Sequence, residues 1–326
     1  MAETLPRFFV EEASFRLDAP PPVDTLEERL QDFIALIEAC RNKGEPIVLP
    51  KDLYEIEIAP GLPLYDFLFR PSTELKVEHL LLRALQVALN RCVEWTPPTG
   101  IAPIEVTTVD LVHALLDKGH GAACLCLGLR SDPLGLSKVR AGDDAPTMHF
   151  LTTREMLPGF YRSLFELEDL DKDAYMANAA HAFPDIAFAP GLSAQFSRFT
   201  TSYRDVRPEV TQHLAVLNDH FQAIYQQADH QPDKTQKLLN SSHHVDASRE
   251  SDLTRHNRKA MRERDVSVDH VLVAGSKVPV GIGRPVRCEW HTKIKPTTDR
   301  IHFHPGDKDV AGGRLFVGIF HAHLQT

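Results

Sequence analysis

The residues best equipped for chemistry lie near the C-terminus. Side chains of an extended strand alternate between two faces, so spacing by two means a shared direction. In 285–295, Arg287, Glu289, His291, Lys293 and Lys295 share one face, and Val286, Cys288, Trp290 and Ile294 the other. In 300–304, Arg300, His302 and His304 point away from Ile301 and Phe303. The run 314–324 carries Leu315, Val317 and Ile319 toward His321 and His323, with Phe316, Phe320 and Leu324 opposite. A run apolar on both faces predicts a central strand.

If these runs are neighbours, Glu289, His291, Lys293, Arg300 and His302 converge, and a histidine of the last run can join them. That set can cut a phosphodiester without metal or other cofactor. His291 or His302 would serve as general acid or base, Glu289 would orient an imidazole and raise its pKa, and Lys293 and Arg300 would hold the phosphate. A second chemistry is open: His302, His304, His321 and His323 form two HxH pairs that could hold zinc or iron. A third reading is a charged face that only keeps the sheet soluble.

Upstream, 252–264 carries Arg255, Arg258, Lys259, Arg262 and Arg264. As a helix it would offer Arg255, Arg258, Lys259 and Arg262 to a nucleic-acid backbone, with Arg287 and Lys295 extending the basic surface.

The elements that must position these groups follow from periodicity. Leu26, Leu30, Phe33, Ile34, Ile37 and Cys40 recur at helical spacing over 26–41, and Gly44 supplies a stop. Helices are also expected at 76–95, 108–118 (capped by Thr107 or Thr108), 153–170, 172–183 and 208–228. Short β-like runs occupy 46–49 and 53–58, and 122–129 reads as a buried strand. Between 226 and 251 the sequence turns polar and predicts a linker or long loop. Beyond it, strand-like runs at 266–274, 285–294, 300–304 and 314–324 favour an antiparallel sheet. The expected fold class is α+β: a mostly helical N-terminal region with a few strands (1–228), the linker (229–251), and a small, basic, His-rich β domain (252–326).

Composition narrows the class. The chain has 326 residues, 43% hydrophobic and 25% charged, which excludes a mainly disordered protein. No stretch reaches the roughly 20 apolar residues of a membrane helix, and the first residues lack the basic and apolar regions of a secretory signal. The five cysteines include no CxxC pair, which points to a reducing, cytoplasmic setting. The net charge of −9 divides unevenly. From Asp252 onward 13 Lys and Arg oppose 8 Asp and Glu, while the preceding residues carry 23 against 37. Such asymmetry suggests separate partners: RNA for the basic part and a protein for the acidic helical part.

The run Glu289-Trp290-His291-Thr292-Lys293-Ile294, then Asp299-Arg300-Ile301-His302-Phe303, then Gly313 to Ile319 and His321-Ala322-His323-Leu324, resembles the final β-hairpin region of RelE/HigB-type toxin nucleases. It is also similar to the C-terminus of uncharacterised bacterial proteins. The toxin resemblance, which covers about 40 residues, implies a compact antiparallel sheet that cuts messenger RNA with Lys, Arg and His or Tyr side chains. The functional expectation is a metal-independent endoribonuclease of toxin or antiviral-defence type. Its alternatives are a non-enzymatic nucleic-acid or protein-binding assembly factor and a metal-dependent enzyme using the HxH pairs.

Overall fold

A computed structural model of the protein describes residues 5–17, 19, 21–70, 75–94, 107–129, 134–139, 146–280, 285–294 and 298–324. The chain is α+β, with helices concentrated toward the N-terminus and antiparallel strands gathered toward the C-terminus. It divides into two compact units, 1–168 and 169–326. Among the described residues no helix is long and apolar enough to cross a membrane.

The helix expected at 26–41 spans Val23–Asn42, burying Leu26, Leu30, Phe33, Ile37 and Cys40 as the spacing requires. It stops at Lys43, where Gly44 takes a φ of +76° that suits glycine. Thr107 caps the helix Thr108–Leu116 in a capping box with Asp110.

These helices accompany a six-stranded sheet in the order Val93–Glu94, Ile47–Leu49, Phe8–Val10, Ala123–Leu125, Thr147–Leu151, Gly135–Lys138. All neighbouring pairs are parallel except the last. Phe8–Val10, Ile47–Leu49 and Ala123–Leu125 are buried throughout. Parallel strands covered on both faces lack alternation, and three residues give little signal.

The second unit holds a seven-stranded sheet in the order Ala247–Arg249, Trp290–Lys293, Arg300–His304, Leu315–His321, Ile186–Phe188, His270–Val273, Ser276–Pro279. Leu315–His321 lies at its centre and is buried at six of seven positions, as its two apolar faces require. It pairs antiparallel with Arg300–His304 and parallel with Ile186–Phe188. The expected linker at 229–251 is corrected: it lies inside this unit as helix Pro232–His243 and edge strand Ala247–Arg249. Its polar composition reflects a helix that buries little beyond Thr235 and Leu239. The expected helix 208–228 is two, Tyr203–Asp219 and Phe221–Gln227, with the break at His220.

One sheet face is packed by these helices. Phe221 meets Trp290 and Phe303 edge-on, at centroid distances of 5.8 and 5.1 Å. His213 is 2% exposed, and its Nδ1 lies 2.9 Å from Thr292 Oγ1. Burial pushes its pKa down to about 4, against the opposing pull of Asp246, and Glu209 lies 3.6 Å from its Nε2. The imidazole is therefore neutral in the fold but protonates near 6.5 when unfolded. Its contribution is complete above roughly pH 6.5 and is lost as pH falls toward 4, a change of about 3 kcal/mol. Urea unfolding across that window should show a steeper acid loss for the native chain than for His213→Gln. Parallel pH profiles would exclude His213 as the source.

Candidate functional site

The opposite face carries the charged groups. The strands Trp290–Lys293 and Arg300–His304 are antiparallel neighbours in which His291 faces His302 and Lys293 faces Arg300. The hairpin is anchored by Asp299, fully buried, whose carboxylate accepts from Thr200 N, Thr200 Oγ1 and Thr201 N at 2.7, 2.9 and 3.3 Å. On the other side of Arg300–His304, the register skips one residue: His302 pairs with Ile319 but Phe303 with Val317. Gly318 is the extra residue of this bulge. A Cβ there would lie 2.6 Å from Cys288 Sγ, so only glycine permits the close approach.

Two residues outside the predicted set complete the cluster. The edge strand Ala247–Arg249 places Ser248 opposite His291, and the chain then brings Glu250 beneath both imidazoles. Glu250 Oε1 lies 3.2 Å from His291 Nδ1 and 3.9 Å from His302 Nδ1. Arg264, fully buried, sets its Nε 2.9 Å from the same oxygen and donates from Nη1 to the Ala260 carbonyl at 2.5 Å. Ser248 Oγ shares a 3.0 Å hydrogen bond with His291 Nε2. Despite these distances, among the described residues no hydrogen bond is aligned at Glu250 Oε1, at His291 Nδ1, at Arg264 Nε or Nη2, or at either nitrogen of His302.

The electrostatics follow from burial. At Glu250 desolvation pushes upward, but His291 and Arg264 outweigh it and hold the carboxyl at about 2. Burial lowers the pKa of His291, and that of His302 well below its ordinary value, with His291 adding to the effect. The expected rise at His291 beside Glu289 is thus reversed, because burial dominates and the nearby carboxylate is Glu250. At neutral pH the cluster is one carboxylate, one guanidinium and two neutral imidazoles.

Among the predicted catalytic residues, His291 and His302 enter this cluster and Arg300 borders it. Arg300 is half-buried, and desolvation lowers its pKa against the pull of Glu250. Glu289 is engaged elsewhere, with Arg249 Nη2 at 2.5 Å and Arg255 Nε at 3.8 Å. Lys293 pairs with Asp246 at 3.4 Å. The four-histidine grouping does not assemble among the described residues. His304 Nδ1 accepts from Gly306 N, His321 Nδ1 lies against the Ala322 carbonyl, and His323 is exposed. Only His302 belongs to a group within metal-ligand reach, and its companions are Glu250 and His291.

We compared the chain with protein-family models, curated proteins and solved structures. None matches. The site therefore stands on its own geometry.

Beside the cluster lies an open groove of about 830 Å³, lined in part by Arg198, Lys259, Glu263, Asp265, His321 and His323. His321 pairs across the strands with Arg300. Partial burial and the Arg300 charge lower the His323 pKa, so groove and cluster share one electrostatic neighbourhood. The predicted nucleic-acid contacts divide. Arg255 pairs with Asp252 and Glu289, and Arg287 with Asp265 at 2.8 Å. Arg258, Lys259 and Arg262 are exposed, and no carboxylate pairs with them among the described residues. They belong to a short helix, Arg258–Arg262, that Asn257 caps through Lys259 N and Ala260 N. Lys295 lies outside the described residues.

Glu250 was hidden because it sits in the polar segment that predicts a linker. The period-two spacing of Ser248 and Glu250 was its one available signal. Arg264 was visible as a cation but not as a buried one.

Proposed function

We propose that the C-terminal unit is directed at nucleic acid, with RNA as the substrate class and endonucleolytic cleavage of toxin or defence type as the activity. The supporting observation is a groove lined by Lys259, His321 and His323, beside which the exposed Arg258 and Arg262 share the helix of Lys259 and Arg300 pairs across the strands with His321. Unpaired cations neutralise backbone phosphates. An imidazole at the groove can accept or donate a proton at a reacting phosphate, and Arg300 can stabilise the charge that develops there. His291 and His302 lie beneath the surface, 4% and 0% exposed, on the strands that carry Lys293 and Arg300. The acidic first unit is then the place for a protein partner, and the setting is cytoplasmic.

Labelled single-stranded RNA tests this reading. The native chain should bind and cut it, and Arg300→Ala with His323→Ala should abolish cutting while thermal stability is kept. Replacing Arg258, Lys259 and Arg262 with Ala should weaken binding to all sequences alike and reduce the salt slope by roughly 2. Binding without turnover would favour the assembly-factor reading. Neither binding nor turnover would remove both.

A further inference from the structure

We propose that Glu250, His291 and His302 hold one divalent transition-metal ion, zinc or iron(II), that ties three segments of the C-terminal unit together. The proposal does not depend on the nucleic-acid reading. Each residue offers one donor atom, and the three atoms lie within 4.8 Å of one another. Two imidazoles and a carboxylate suit a borderline ion of this class rather than calcium or magnesium, which prefer oxygen donors.

The second observation is what the cluster lacks. His302 is 0% exposed, and neither ring nitrogen has a hydrogen-bond partner among the described residues. A neutral imidazole carries one N–H and one lone pair, and burying such a group without partners forfeits the hydrogen bonds it makes with water when unfolded. His291 Nδ1 and Glu250 Oε1 likewise make no aligned hydrogen bond among the described residues, although they lie 3.2 Å apart and Arg264 Nε stands 2.9 Å from the same oxygen. An ion among them would give all three groups a partner.

The surroundings fit a metal centre. Ser248 holds the distal Nε2 of His291, which leaves Nδ1 aimed at Glu250, as an outer-shell group orients a ligating imidazole. Arg264 Nε forms an ion pair at 2.9 Å with a carboxylate that has room for about four acceptor contacts, so it does not exhaust Glu250. Three protein donors leave one tetrahedral corner for water or hydroxide. Because the ligands are 0–6% exposed, the ion's part is structural, joining the strands of His291 and His302 to the segment after the edge strand.

The test is metal analysis of the full chain purified without chelators, followed by cobalt(II) titration of chelator-stripped protein. About one equivalent of zinc or iron per chain is expected, with a cobalt visible spectrum of ligand-field type and a lower Tm after stripping. Glu250→Gln and His302→Ala should lose the metal. Changing His304, His321 and His323 together to Ala should retain it, which separates this site from the HxH pairs. The cobalt spectrum is read on the native chain, so a variant that fails to fold leaves the test intact. Metal far below one equivalent, with no cobalt spectrum and an unchanged Tm, would overturn the proposal. The cluster would then be a polar network satisfied by water.

Discussion

Arg264→Met is expected to destabilise the C-terminal unit by about 3–5 kcal/mol, because it leaves a buried carboxylate without its cation. Arg264 is fully buried and the Glu250 side chain is 4% exposed. The guanidinium also closes the turn after the helix Arg258–Arg262 by donating to the Ala260 carbonyl. Without it Glu250 keeps His291 and the more distant Arg300 charge to oppose desolvation, and its carboxyl rises from about 2. The penalty should therefore grow with pH through the acid range, since only the ionised carboxylate is left unpaired. Removing both charges, as Arg264→Met with Glu250→Leu, should recover most of the loss, because a well-packed apolar pair often matches a buried ion pair. Urea unfolding of the four proteins, in chelator so that no ion contributes, gives the coupling energy directly. A single-variant loss under about 1 kcal/mol would place the pair in water.

Trp290→Ala carries the second large effect, also about 3–5 kcal/mol. Trp290 is 2% exposed and its ring contacts Phe221, Tyr225 and Phe303 at centroid distances of 5.8, 5.8 and 6.1 Å. Truncation removes the whole indole and leaves a cavity between the sheet and the helix Phe221–Gln227, which aromatic neighbours cannot collapse to fill. Trp290→Phe keeps most of the contact area and should cost about 1–2 kcal/mol. Because Trp290 and His291 are adjacent on opposite faces, the alanine variant should also loosen the polar cluster. Unfolding midpoints for both variants check the order, and equal losses would show that packing at the indole is not the source.

These effects arise where helical packing on one sheet face meets a polar cluster on the other. The strand of His302 was legible in the sequence to the residue: alternation and flanking turns predicted 300–304, and the strand is Arg300–His304. The period of two assigned His291 and His302 to the charged faces of their own strands, and the pairing of the two strands in register placed them side by side. The helix Val23–Asn42 was legible because its apolar stripe is long and its stop is a glycine. In the first unit's sheet, Ile47–Leu49 and Ala123–Leu125 fall within the runs 46–49 and 122–129 that read as strands, whereas Phe8–Val10, three residues buried throughout, gave no such pattern.

Local patterning thus determined the α+β class, the C-terminal strands and which ionisable groups share a side. It could not determine the composition of the site. Glu250 and Arg264 reach the histidines through edge-strand pairing and a short helix turn, from positions 27 to 52 residues away. Nor could it show that the pair of imidazoles would be sealed from solvent, because burial depends on what the rest of the chain lays over the sheet. Periodicity reports the direction of a side chain, whereas depth and long-range partners are set only when the elements pack.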